Sequence, residues 1–183
     1  MADVAALATR LRVPLHFLLA AALVWLARPT PRLWTLGAAV VALGLLVRGW
    51  AAGHLRRESP LTVSGPYARL RHPLYFGSAL LLAGFALASG EPLFGVVAMA
   101  YFLVVFVPVM RREEQERRAG AAELYAAYAA QVPALWPRLW PAQLEGAGGR
   151  FNWQQYGRNR EWRAAVGCVT LLALLYAKMM VGW

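Results

Sequence analysis

The 183-residue chain contains little charge and a single cysteine. Charged residues make up 15% of it, against about 25% in a typical globular protein. Cys168 is the one cysteine, which excludes a disulfide scaffold. His16 and His54 have no ligand partner at a useful spacing, so we expect no metal site. The nucleophile-elbow, Walker A, dinucleotide-binding and zinc-peptidase motifs are absent, and the enzyme classes that depend on them are not indicated.

The composition instead favours a protein embedded in a membrane. Apolar residues account for 60% of the chain, the mean hydropathy is +0.44, and the net charge is +10. A basic protein that binds nucleic acid keeps its charge on a water-soluble face, and this chain has little such face, so we expect no nucleic-acid partner. Arginine excess on an apolar chain is typical of cytoplasmic loops between membrane helices.

Five apolar runs predict an all-α fold with about five transmembrane helices in a single domain over residues 1–183. A spanning helix needs about 20 residues, so the first three runs must include flanking residues. The expected helices are 13–28, 33–52, 73–89, 92–110 and 163–182. The segments 53–72 and 111–162 are then cytoplasmic, and the second of these should be partly helical.

The distribution of basic residues predicts the orientation. With the N-terminus inside, 16 of the 19 Lys and Arg residues face the cytoplasm, and Arg28, Arg32 and Lys178 remain outside. The positive-inside rule therefore predicts an inside N-terminus and an outside C-terminus. With no eukaryotic targeting segment visible, we expect a bacterial inner membrane.

The first cytoplasmic segment ends in GPYARLRHPLYFG, residues 65–77. Pro73 suits the first turn of the third helix, which places Arg71 and His72 at the positive end of the helix dipole. Free backbone N–H groups and a guanidinium there favour an anion such as a carboxylate or phosphate. An alternative is an Arg-His pair that anchors the helix to lipid phosphates.

The second segment opens with two acidic residues, Glu113 and Glu114, directly after an apolar run. Each has an arginine four residues later, Arg117 and Arg118, which is typical of a solvated amphipathic helix held by ion pairs. A carboxylate at this boundary is costly unless it meets a cation or water. The alternative is therefore a site for the positively charged amine or sulfonium of a ligand.

Aromatic residues add two weaker indications. Tyr125 and Tyr128 share a helix face, where they could pack at the interface or orient a substrate through a hydroxyl. Residues 151–162 combine aromatic and basic side chains, as expected for an interfacial belt or a lipid-headgroup site.

The motif GPYARLRHPLYFG resembles the signature of the isoprenylcysteine carboxyl methyltransferase family. Membrane phospholipid N-methyltransferases share its Arg-His-Pro-x-Tyr core. The paired glutamates after a helix, Tyr125, Tyr128 and Val132-Pro133 come at the spacing usual in that family. The resemblance covers residues 53–140 in register, and two motifs at the right separation are much more specific than either alone.

The resemblance implies a methyltransferase that uses S-adenosylmethionine at the cytoplasmic membrane face. Its acceptor would be a lipid-like or isoprenoid-linked carboxylate or amine, and no obligate protein partner is expected. The implied cofactor-binding residues are Leu61, Thr62, Tyr67, His72, Pro73, Tyr75 and Glu113. The helix N-terminus and charge pattern add Arg71, as the partner of the cofactor carboxylate.

Catalytic candidates follow from the acceptor chemistry. An amine must lose a proton before it attacks, for which Glu114, Tyr128 or His72 could serve. The arginine thought to bind a substrate carboxylate in the eukaryotic enzymes is Val109 here, and Arg112, or its neighbour Arg111, could replace it.

Two other functions remain open. Arg-His-Pro patterns also occur in sterol reductases, which would make the chain an NADPH-dependent enzyme. Val109, and Ala121 where the family has an aromatic residue, would instead suit a non-catalytic lipid-binding or adaptor protein.

Overall fold

The structure is a computed structural model that describes residues 17–56, 59, 61–145 and 148–182. Every regular element in these residues is helical. The α-helices are α1 Phe17–Leu26, α2 Pro31–His54, α3 Pro73–Ser89, α4 Pro92–Gly120, α5 Ala122–Gln131, α6 Trp153–Asn159 and α7 Trp162–Val181, and a 3-10 turn covers Gly65–Ala68.

The predicted all-α membrane fold is confirmed. Helices α2, α4 and α7 have 24, 29 and 20 residues and are long and apolar enough to cross a membrane. Helices α1 and α3 are shorter apolar helices at the positions of the first and third predicted spans. The start of the first span, residues 13–16, lies outside the described residues, and the number of five spans stays a prediction.

The predicted end of the fourth helix at residue 110 is wrong. Helix α4 continues without a break to Gly120, and it contains a π-helical segment at Phe102–Phe106. Pro108 has no N–H to donate to the carbonyl four residues earlier. The Val107 N–H bonds instead to Phe102, five residues back, which is the π-helical pattern. The acidic pair therefore projects from a continuous helix that extends beyond the membrane-spanning part.

Helices α2 and α3 pack closely because glycines lie at their crossing. A Cβ atom added at Gly37 would lie 2.5 Å from the carbonyl oxygen of Gly84, and one at Gly44 would lie 3.0 Å from that of Gly77. Small residues let the backbones of membrane helices approach in this way. The contact fixes the position of α3 relative to α2.

An ion pair ties these two helices to the start of α7. The guanidinium of Arg48 on α2 donates to both carboxylate oxygens of Glu161, with a closest N–O distance of 2.7 Å. The same group donates to the hydroxyl of Ser78 on α3. Because the pair is largely buried, it holds the first turns of α3 in a fixed position relative to α2 and α7.

The segment after α5 lies along the segment that precedes α3. Backbone N–H groups of Arg71 and His72 donate to the carbonyl oxygens of Pro133 and Ala134, at 2.8 and 3.1 Å. In the other direction, residues 138 and 142 donate to the carbonyl oxygens of residues 69 and 68. These four hydrogen bonds hold the Arg-His-Pro segment in place from its loop side.

Candidate functional site

Arg71, His72 and Glu114 form a polar cluster between the start of α3 and the extended end of α4. The Oε1 atom of Glu114 lies 3.0 Å from His72 Nε2 and 3.2 Å from Arg71 Nη1. The three residues come from segments 42 positions apart in the chain. The structure therefore brings together the two motifs that the sequence analysis singled out.

The neighbouring glutamate makes a second link between the same helices. The hydroxyl of Tyr75 on α3 donates to Glu113 Oε1 at 2.6 Å. Neither Glu113 nor Glu114 forms the predicted ion pair with Arg117 or Arg118. The ion pair formed along this helix instead joins Arg112 to Glu116, at 2.7 Å and largely exposed. Both glutamates thus contact α3 and the segment before it.

An aromatic wall borders the polar cluster on the membrane side. The ring of Tyr75 lies 5.6 Å from that of His72 and 5.7 Å from that of Phe106, centroid to centroid. Phe106 belongs to the π segment and also contacts Tyr101 and Phe102. The rings place apolar surface directly beside two carboxylates.

Burial controls the protonation of His72. It lowers the pKa of this histidine below the usual value, and the hydrogen bond to Glu114 opposes the shift without reversing it. The imidazole is therefore neutral near pH 7. Its contact with Glu114 then requires the proton on Nε2, because a carboxylate can only accept.

Arg71 keeps unused donor capacity. Its Nη1 lies 3.4 Å from the hydroxyl of Tyr125 as well as near Glu114. Its Nε is buried without a hydrogen-bond partner. The backbone N–H groups of Arg71 and His72 both donate to the segment after α5. The guanidinium of Arg71 is therefore a donor that this site offers to an anion, and the anion site expected at the start of α3 stays a prediction.

Two of the catalytic candidates, Tyr128 and Arg112, lie apart from the cluster. The hydroxyl of Tyr128 donates to the backbone carbonyl of Tyr67 at 2.8 Å, and its side chain is 3% exposed. In this structure, Tyr128 therefore packs against the 3-10 turn, and its catalytic role stays a prediction. Arg112 is exposed and paired with Glu116, because it lies on the opposite side of α4 from α3.

The remaining cofactor candidates lie in the segment before α3 and at the first residue of α3. Pro73 opens α3 beside His72, and Tyr67 is buried in the 3-10 turn, where burial raises the pKa of its hydroxyl. Leu61 packs against Tyr125 and Tyr128. The hydroxyl of Thr62 accepts the N–H of Arg56.

Two cavities lie away from the cluster. A polar cavity of about 450 Å³ is lined by Arg56, Ser59 and Arg158 together with polar residues of α6. An apolar cavity of about 110 Å³ lies between α1, α3, α4 and α7. The polar groups of the cluster contact one another in this structure.

Two supporting features of the site were not predicted from the sequence. The backbone of Pro133 and Ala134 holds the Arg-His segment, and Arg48 anchors the first turns of α3. The position of Val132-Pro133 after the two tyrosines could have indicated the first of these features, the contact with the Arg-His segment. An arginine inside an apolar helix was a signal for the second, because such a charge needs a partner.

The fold and the cluster define a helical integral membrane protein with a polar site at the start of the apolar helix α3. Residues 32–117 match the phospholipid methyltransferase family. This match spans α2, the Arg-His-Pro motif and both glutamates, and it confirms the resemblance to membrane methyltransferases that the sequence analysis found.

Two curated bacterial proteins are similar to the chain. The cobalt-zinc-cadmium resistance protein CzcN of Cupriavidus metallidurans is 36% identical over 113 residues, which is 60% of this chain and 51% of the relative. The nickel-cobalt-cadmium resistance protein NccN of Alcaligenes xylosoxydans xylosoxydans is 31% identical over 110 residues, 58% of this chain and 51% of the relative. The chain thus spans about half the length of these relatives. No solved structure matches it.

Proposed function

We propose that the chain is a methyltransferase that uses S-adenosylmethionine and methylates a lipid-like acceptor at the cytoplasmic face of the membrane. One observation carries the proposal. Arg71, His72 and Tyr75 converge on Glu113 and Glu114 within the segment that matches the phospholipid methyltransferase family.

The residues of the cluster suit the polar ends of this cofactor. The buried Nε of Arg71 lacks a partner, and a carboxylate is the acceptor that a guanidinium binds best. Glu113 would hold the amino or ribose groups, and the faces of Tyr75 and His72 would lie against the cationic centre. Leu61, Thr62, Tyr67 and Pro73 would complete the surrounding wall.

The protein would contribute alignment, a dry environment and a proton acceptor. When bound, the cofactor supplies a methyl group on a sulfonium that is already activated, so no covalent enzyme intermediate is needed. Alignment of two reactants can lower a barrier by several kcal/mol. For an amine acceptor, Glu114 or neutral His72 can take the proton. A carboxylate acceptor needs no base.

Calorimetric titration with S-adenosylhomocysteine tests the site. We expect the purified protein to bind it and the variants His72→Ala and Glu113→Ala to bind it at least tenfold more weakly. Each loses a charged or polar contact, which is worth about 1.5–3 kcal/mol. Glu116→Gln is the matched control, since it removes an exposed carboxylate three residues from Glu113 and should leave the affinity unchanged. Equal affinity in all four proteins would remove the site assignment.

The reductase and adaptor alternatives are separated by thermal shift and labelling. A ligand that binds the folded state raises the melting temperature. We expect S-adenosylmethionine to raise it and NADPH to leave it unchanged. An adaptor would transfer no label from radioactive S-adenosylmethionine to any lipid.

A second candidate is a role in resistance to metal ions, favoured by 36% identity to a cobalt-zinc-cadmium resistance protein. Among the described residues, no three His, Cys, Asp or Glu side chains are grouped so that they could hold a metal ion. In this candidate, methylation by the chain affects the tolerance of the cell to metal ions. Growth of an expressing strain in cobalt or cadmium salts, with and without Glu113→Ala, tests whether tolerance depends on the proposed site.

A further inference from the structure

Residues 133–142, which we name the tryptophan loop, carry an exposed apolar surface. Trp136, Leu139 and Trp140 are 82%, 85% and 79% exposed. The residues at the two ends of the loop are covered, since Val132 and Ala142 are 1% and 4% exposed and pack against Tyr125 and Tyr128. The loop is therefore anchored in the protein at both ends and uncovered in the middle.

The backbone of the loop lies beside the start of α3. Its first residues accept hydrogen bonds from Arg71 and His72, directly before α3 begins at Pro73. Residues 133, 134 and 138 are therefore bonded to residues 69–72, directly before the apolar part of α3 starts. A surface at this position meets the boundary between lipid and water.

The side chains of the loop match this boundary. Tryptophan is enriched where one part of a side chain contacts apolar lipid and another contacts water. Arg138, two residues after Trp136 in the chain, is exposed, and its guanidinium donates to the carbonyl of Gln131 at 2.5 Å. A basic group at the cytoplasmic surface is attracted to anionic lipid phosphates.

We propose that the tryptophan loop inserts into the headgroup region of the membrane that the chain spans. Its occupant is the lipid bilayer itself, in contact with Trp136, Leu139 and Trp140. Because the loop is bonded to Arg71 and His72, this contact sets the depth of the polar cluster at the lipid surface. That last step rests on the proposed function, whereas the insertion does not.

The test is the immersion depth of a spin label at position 139. Cys168→Ala removes the only cysteine, after which Leu139→Cys gives one labelling site on a side chain that is already exposed. Gln143→Cys is the matched control, because it is exposed and polar and lies four residues later in the chain. Both proteins are placed in vesicles of phosphatidylethanolamine and phosphatidylglycerol, and collisions with oxygen and with a water-soluble nickel chelate are measured.

Insertion predicts a ratio of oxygen to nickel collisions several-fold higher at position 139 than at position 143. Equal ratios at the two positions would overturn the proposal, since the loop would then lie in water. Suppression of both kinds of collision at position 139 would also overturn it, because protein, such as a second copy of the chain, would then cover the surface. No methyl donor is present, so the result is independent of the proposed reaction.

Discussion

At the scale of single residues, Glu114 holds the cluster together as the shared partner of Arg71 and His72. We expect Glu114→Gln to lower the free energy of unfolding in detergent by about 2 kcal/mol, because it replaces a charge-assisted hydrogen bond to a partly buried guanidinium. Chemical denaturation followed by circular dichroism measures the change. Glu116→Gln, which breaks an exposed pair of the same helix, should alter the free energy by less than about 0.5 kcal/mol. Equal losses in the two variants would contradict the importance of the cluster.

The lowered pKa of His72 makes a prediction about acid stability. Between its folded-state pKa and the usual value of 6.5, the unfolded chain binds a proton that the folded chain does not. Stability must therefore fall as the pH falls below 6.5. We expect the loss of melting temperature between pH 7.5 and 5.5 to be smaller in His72→Gln than in the parent protein. A larger loss in the variant would show that His72 is charged in the folded state.

Sequence reasoning found most residues of the cluster but not their partners. The Arg-His-Pro motif and the acidic pair stand out because polar residues at the end of an apolar run need an explanation. The pairing of Glu114 with Arg71 was hidden, since Arg118 at the favourable spacing offered a simpler local partner. That Tyr128 and Arg112 lie apart from the cluster was hidden for a related reason: which side of a helix faces its neighbour depends on packing that residue types do not reveal.

At the scale of elements, the crossing of α2 and α3 positions the start of α3, where the polar cluster lies. We expect Gly37→Ala to destabilise the protein by about 1–3 kcal/mol, because the added Cβ would meet the backbone of Gly84 and Ala88 at 2.5 Å. The melting temperature in detergent reports the loss. Gly95→Ala on α4 is the control, as no atom lies within 4 Å of its Cβ position, and it should leave the melting temperature unchanged or raised. Tolerance of alanine at Gly37 would contradict the close approach.

The observed helices also show which helix bounds periodicity and composition can predict and which they cannot. Helix α3 was predicted with its observed bounds because Pro73 and Gly90 mark its two ends. Helix α4 was predicted to end ten residues too early, since the change from apolar to charged residues marks the end of a membrane span but not of a helix. The π segment and the hydrogen bonds of residues 133–142 depend on contacts distant in sequence, which no local pattern records.

At the scale of the whole molecule, the distribution of arginines predicts which side each loop faces. In a chain with Cys168 replaced by alanine, we expect a cysteine at Glu145 to react with a membrane-impermeant maleimide only after the cytoplasmic side is opened. A cysteine at Arg32 should react from outside in intact cells. The positive-inside rule is the physical reason, and the opposite labelling pattern would reverse the proposed orientation.

A transfer assay tests whether the intact protein moves a methyl group to a lipid-like acceptor. The protein in vesicles is incubated with S-adenosylmethionine carrying a radioactive methyl group and with a total lipid extract, and the organic phase is then counted. We predict label in a lipid fraction with the parent protein and with Glu116→Gln, and at least a tenfold loss with Glu113→Ala, in keeping with the loss of a hydrogen bond to a charged group. Label that never enters the organic phase, or that enters it equally with Glu113→Ala, would contradict the account.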